Sequence, residues 1–235
     1  MHRPPISAIA NVIGALLMTV TSAAQAVPLN NAFVAEATLD TGLGGTTSAA
    51  RPELAATVEA DDVDSFSFGA LGITGTVQSR VARETVAGTL DFYWRIKLDP
   101  TSTGGGVSAF RLIDFGYANL TDADWRIDGL GSAAPYIGRL FNPATHPEGA
   151  INFLFTDPAV QPGDSDGSRF FFLHTDATFF AKTARFDLLS GPDTSLSLSP
   201  TYSTYAPAVP EPSSVLLLGL GLAGTGLAGK RRRSS

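Results

Sequence analysis

Leu90-Asp91-Phe92-Tyr93-Trp94-Arg95-Ile96-Lys97-Leu98 decides the fold class of this chain. Leu90, Phe92, Trp94, Ile96 and Leu98 alternate with Asp91, Tyr93, Arg95 and Lys97. Successive side chains of an extended strand point to opposite faces, so the pattern predicts a strand with one buried and one wet side. Asp99-Pro100 ends it, and residues 101–106 read as a flexible loop. Upstream, Ile73 to Val81 shows the same period of two, with Ile73, Gly75, Val77, Ser79 and Val81 opposite Thr74, Thr76, Gln78 and Arg80.

Further runs carry aromatic or β-branched residues between Gly, Pro, Asp or Asn. They are Val107 to Phe115, Tyr136 to Phe141, Ile151 to Phe155, Arg169 to His174, Ala177 to Leu189 and Leu196 to Tyr202. Towards the start, Ala32 to Leu39 is a possible strand, Thr41 to Ser48 a loop, and Glu53 to Val58 a short strand or a helical turn. Asp61-Asp62-Val63-Asp64 then reads as an interruption. About ten short strands without helical periodicity predict an all-β antiparallel β-sandwich of the jelly-roll or immunoglobulin-like kind. Phe153, Phe155, Phe170, Phe172, Phe179 and Phe186 are expected to fill the space between the sheets.

Both ends of the chain differ from this body. Met1-His2-Arg3, the apolar Ile6 to Val20 and Ala24-Gln25-Ala26 have the order of a secretory signal peptide, so residues 1–26 are expected to be removed and the mature protein to begin near Val27. Residues 27–200 are expected to form the β-sandwich ectodomain and residues 201–209 a short extended linker. The last segment, residues 210–235, joins Pro210-Glu211-Pro212 to an apolar run and then to Lys230-Arg231-Arg232-Arg233. A hydrophobic run closed by four cations is a membrane-stop pattern, with the cations on the cytoplasmic side. Ser214 to Gly229 is 16 residues. At about 1.5 Å per residue a helix of that length spans roughly 24 Å, short of a hydrocarbon core of about 30 Å. A segment held briefly and shown to a membrane enzyme fits this length better than a permanent anchor does.

The order of motif, apolar helix and basic end resembles the PEP-CTERM sorting signal of Gram-negative bacteria. Gly88 to Ile96, and Gln161-Pro162-Gly163-Asp164-Ser165 followed by Phe170-Phe171-Phe172, also look like the ectodomains attached to such tails. The resemblance implies an exosortase-like transpeptidase as partner beside signal peptidase, cleavage near Pro210 to Pro212, and the inner membrane as a transit station before the cell surface or the extracellular space. It further implies a link to exopolysaccharide and biofilm, and it carries no site residues for the body.

Five of the 16 basic residues (Arg3 and Lys230 to Arg233) and one of the 22 acidic ones (Glu211) lie in the two ends. The body therefore holds 11 basic against 21 acidic residues, a formal charge of −10. Such a surface repels nucleic acid, whose binding requires phosphates to be neutralised by Lys and Arg. The chain has no cysteine, so an exported body of this kind must stand on its core, without disulfides or thiolate metal sites.

Chemistry-bearing residues are sparse. Asp122, Asp124 and Asp128, with Gly129 following, and Asp164 and Asp166 before Gly167, offer carboxylates at spacings that suit Ca²⁺, the one cofactor for which the sequence leaves room. Ordinary Asx-turn chemistry is the competing reading. Trp125 and Tyr136 are candidates for a carbohydrate-stacking platform, against half-buried packing at the end of the sandwich. His174 lies close to Asp176, but no serine elbow and no cysteine accompany them, so no catalytic residue is assigned and a non-enzymatic protein is expected. The rival is a secreted glycan hydrolase using an unassigned carboxylate pair, or a calcium-dependent carbohydrate-binding module.

Overall fold

A computed structural model describes residues 27–28, 39–116, 120–142, 145, 150–155, 160–162, 167–190 and 197–208. The signal-peptide segment before Val27, the sorting tail 210–235, and Asp164 and Asp166 lie outside the described residues. Thirteen strands run in chain order: β1 (Val27–Pro28), β2 (Leu39–Gly42), β3 (Ala56–Ser67), β4 (Thr74–Glu84), β5 (Leu90–Leu98), β6 (Val107–Ile113), β7 (Leu120–Trp125), β8 (Ile137–Leu140), β9 (Ile151–Leu154), β10 (Phe171–Thr175), β11 (Phe180–Ser190), β12 (Ser197–Leu198) and β13 (Tyr202–Pro207). They form two antiparallel sheets. One has the order β1-β7-β10-β5-β4-β3, the other β12-β11-β6-β9-β8-β2, with β13 also paired to β11. The architecture is the all-β, two-sheet arrangement that the alternating runs predict.

Aromatic side chains contributed by both sheets hold the core. Trp94 on β5, 1% exposed, lies against Phe110 of β6, Phe153 of β9 and Phe171 of β10, with ring centroids 5.4 to 6.3 Å apart. Aromatic pairs of this kind add about 0.5–1.5 kcal/mol each beyond the area they bury. The indole N–H donates to Thr204 Oγ1 of β13 at 2.9 Å, and Thr204 donates to Ser79 Oγ of β4 at 3.1 Å. A short polar chain thus crosses an apolar core with each link satisfied.

Several sequence expectations need correction. Asp61 to Asp64 do not interrupt a strand; they lie inside β3, at the edge of its sheet. There Arg80 and Gln78 bind Asp61, and Lys182 and Tyr205 bind Asp62, so the charges are compensated sideways. Residues 201–209, expected as a linker, carry β13, because Thr204 and Ala206 are buried against the core. Asp122 and Asp124, for which Asx-turn chemistry is the competing reading, and Trp125 belong to strand β7. The wet face of β5 is wet only at Arg95 and Lys97, whereas Asp91 and Tyr93 are buried. Of the phenylalanines expected between the sheets, Phe153, Phe155 and Phe186 are there. Phe170 and Phe172 instead join a second cluster with Leu54, Ala82 and Tyr93 on the outer face of the β5-containing sheet, and Phe179 is exposed.

Candidate functional site

That outer face is covered by the segment that follows β2. Pro52–Leu54 makes one 3₁₀ turn, with proline at its start and Leu54 turned inward. Before it, Arg51 is buried under this cover: its Nη1 and Nη2 donate to the two oxygens of Asp122 at 3.1 Å each, and its Nε donates to Glu53 at 2.7 Å. The guanidinium also lies 5.6 Å from the centre of the Phe172 ring. This arrangement fixes the first expected calcium ligand as half of a bidentate ion pair.

The other two aspartates of that set turn to separate partners. Asp124 is 3% exposed, and its Oδ1 accepts the backbone N–H groups of Gly45 at 2.7 Å and Trp125 at 2.9 Å. Burial pushes its carboxyl above the ordinary range, against those two hydrogen bonds. Asp128 accepts from Arg126 at 2.8 and 3.0 Å and from the N–H and hydroxyl of Ser48 at 2.9 and 2.7 Å. The hydrogen bonds from Arg126 in particular hold its carboxyl well below the usual range. Asp122, Asp124 and Asp128 therefore serve three distinct contacts and do not converge on a common point.

Trp125 and Tyr136 form no open platform together. Gly45, at φ +77°, packs so closely on the Trp125 ring that a Cβ there would lie 2.4 Å from it, which admits only glycine. The guanidinium of Arg169 lies 5.3 Å from the same ring. Trp125 is half-buried against the core, while Tyr136 is 41% exposed.

Beside Arg126 and Asp128, a groove of about 400 Å³ opens on the same outer face. Leu54, Tyr93 and Phe170 line its apolar side; Gln78, Arg80, Arg126 and Asp128 line its polar side. Arg80 and Arg95 lie over the Phe170 ring at 4.9 and 5.8 Å. The groove thus presents amide and guanidinium donors above aromatic packing. Among the described residues Asp128 is the one carboxylate that lines it, already bound by Arg126 and Ser48.

Tyr93 connects this groove to a deeper set of groups. Its hydroxyl donates to Asp91 Oδ2 at 3.1 Å, and burial, followed by the charge of Asp91, pushes the phenol far above its ordinary range. Asp91, fully buried, holds His174 Nδ1 at 2.6 Å through its other oxygen. Glu84 Oε1 lies 3.3 Å from the same nitrogen. Burial raises the Glu84 carboxyl, against a hydrogen bond with Thr89 and the charge of His174. Burial alone lowers the His174 imidazole, but the Asp91 hydrogen bond and the charges of Asp91, Asp122 and Glu84 outweigh it and leave it raised. His174 thus pairs with Asp91, directly opposite in the β10–β5 register, and not with Asp176. Sequence reasoning missed Glu84 and Asp91. Their positions at the end of the β4 alternation and on the polar face of β5 were visible, but the register that joins them to β10 was not.

Residues 208–233 match the family described as the PEP-CTERM protein-sorting motif. The chain carries a PEP-CTERM sorting signal. This signal marks an exported protein of the cell envelope or surface that an exosortase-type system processes. Pro210, Glu211 and Pro212 and the basic group Lys230 to Arg233 all fall within the matched segment. No curated protein and no solved structure matches the chain. Among the described residues no helix is long and apolar enough to cross a membrane.

Proposed function

We propose that the protein is a non-enzymatic component of the cell surface or extracellular matrix, associated with exopolysaccharide and biofilm. It is exported by the signal peptide of residues 1–26 and held in transit by the apolar helix of its sorting tail. The observation that carries this reading is the sorting motif at residues 208–233, attached to a two-sheet body whose groove offers hydrogen-bond donors from Gln78, Arg80 and Arg126. Such donors, part of whose hydrogen bonds go to Asp61 and Asp128, suit the hydroxyl groups of a glycan.

The groove's carboxylate supports the non-enzymatic part. Glycoside hydrolysis uses two carboxyl groups roughly 5–10 Å apart facing one sugar. Among the described residues Asp128 is the one carboxylate that lines the groove, while Glu84 and Asp91 are buried and do not line it. The test is retention of the full chain on the host's own exopolysaccharide, with and without Ca²⁺. Retention is expected in both conditions and should weaken at least tenfold for Arg80→Ala. Absence of retention by the parent protein would remove the polysaccharide reading, and dependence on Ca²⁺ would favour a calcium-bridged module.

A further inference from the structure

We propose that Glu84, Asp91 and His174 form a binding site for a divalent transition metal, with Zn²⁺ the best-fitting occupant. Among the described residues these three side chains each bring one ligand atom to within 4.8 Å of the others. Glu84 is 4% exposed, and its Oε1 is buried without a hydrogen-bond partner, yet it faces the nitrogen that Asp91 already holds. Leaving a carboxylate oxygen this buried without a hydrogen bond is costly, and its 3.3 Å approach to an imidazole nitrogen that Asp91 already holds does not supply the missing bond. A cation between the three groups does.

Charge points the same way. Around the imidazole stand Glu53, Glu84, Asp91 and Asp122, against the cations Arg51 and His174 itself. Even with the imidazole protonated, four carboxylates exceed two cations, and all of these but the part-exposed Glu53 lie under a cover of side chains where screening by water is weak. A dication that displaces the Nδ1 proton, leaving the ring neutral with its proton on Nε2, reduces this excess from two to one.

Geometry and ligand type select the metal. In a tetrahedral zinc site with bonds of about 2.0–2.1 Å, neighbouring ligand atoms lie roughly 3.3 Å apart. The His174–Glu84 separation of 3.3 Å already matches, and the 2.6 Å His174–Asp91 hydrogen bond needs to open by less than an ångström. One imidazole with two carboxylates is a donor set for zinc-like ions, whereas Ca²⁺ requires six to eight oxygens and gains nothing from the imidazole. Tyr93, which donates to the second oxygen of Asp91, orients that ligand.

The full chain, purified in detergent and stripped with EDTA, is titrated with ZnCl₂ alone and with CaCl₂ alone, and followed by calorimetry and melting temperature. One equivalent of Zn²⁺ is expected to bind and to raise the melting temperature, and Co²⁺ in its place is expected to show the intense visible bands of a tetrahedral nitrogen and oxygen site. Glu84→Gln keeps the shape and removes a buried charge. It should melt no lower than the parent without metal, yet bind Zn²⁺ at least tenfold more weakly, as should His174→Gln. Asp128→Asn, outside the cluster, should bind as the parent does. Zinc binding equal in the parent, Glu84→Gln and His174→Gln would overturn the site, as would stabilisation by Ca²⁺ alone or by neither ion at millimolar concentration.

Discussion

At the scale of single residues, the protein handles polar groups in its interior by pairing them across long sequence distances. Trp94 and Thr204 stand 110 positions apart, yet the indole N–H has Thr204 as its partner. Thr204→Val preserves shape and removes the acceptor, so a buried donor loses its bond at a cost of about 1–3 kcal/mol. Urea unfolding should show that loss as a lower midpoint with an unchanged slope, since neither the folded nor the unfolded surface changes. Ser79→Ala, which takes away only the far end of the chain, should cost less. Equal effects would mean that the indole bond contributes nothing of its own. His174 teaches a related lesson: its neighbour in sequence, Asp176, is not its partner, because a strand residue meets the residues opposite it in the register.

At the scale of elements, β3 shows how an edge strand is kept from recruiting another chain. It is 12 residues long and among the described residues pairs with β4 alone, which makes it an edge with backbone donors and acceptors on its other side. Asp61, Asp62 and Asp64 stand along it, and Val63 is 61% exposed. The same charges that look like a break in the sequence therefore act as protection of a continuous strand. Asp62→Val together with Asp64→Val should turn this edge into an apolar β-rich run and shift the protein to larger species in size-exclusion chromatography. An unchanged elution volume would assign the aspartates only to their contacts with Lys182 and Tyr205. This element also marks how far the sequence was legible. Alternation at Ile73 to Val81 and Leu90 to Leu98 located β4 and β5, because period two survives wherever one side carries polar residues, whether wet like Arg95 and Lys97 or buried in polar contacts like Asp91. Where both faces are covered, as at Phe170-Phe171-Phe172, the alternation vanishes, and with it the division between main core and outer cluster. The groove and the Glu84–Asp91–His174 cluster depend on which strands are neighbours, which no local pattern encodes.

At the scale of the whole molecule, two expectations concern how the folded body responds to acid and how it meets its tail. Hydrogen bonds from Arg139 to Asp40, Arg83 to Glu59, Tyr205 and then Lys182 to Asp62, and Arg126 to Asp128 hold these carboxyls below their unfolded values. Their stabilisation is present above the unfolded range of about 3.9–4.3 and is lost as pH falls through the folded values. Glu84 and Asp124, raised by burial, act with the opposite sign: their contribution is full below the unfolded range and is lost as pH rises through their folded values. Melting temperature, measured in EDTA, should hold or rise slightly from pH 7 to about 5 and fall below about 4. A monotonic rise down to pH 3 would mean that the two buried carboxyls outweigh the whole set of surface pairs. The ends of the body set the second expectation. β1 begins at Val27, the first residue after the expected signal-peptidase site, and β13 ends at Pro207, so the strands reach almost from one processing signal to the other. Residues 208–213 separate β13 from the apolar run that begins at Ser214, a stretch that spans roughly 20 Å when fully extended. Protein recovered from the native host should then run from Val27 to within Pro210–Pro212 by intact mass, free or joined to another molecule at that terminus. Material that still ends at Ser235 would mean that the body works while pinned to the bilayer and that the tail is a lasting anchor.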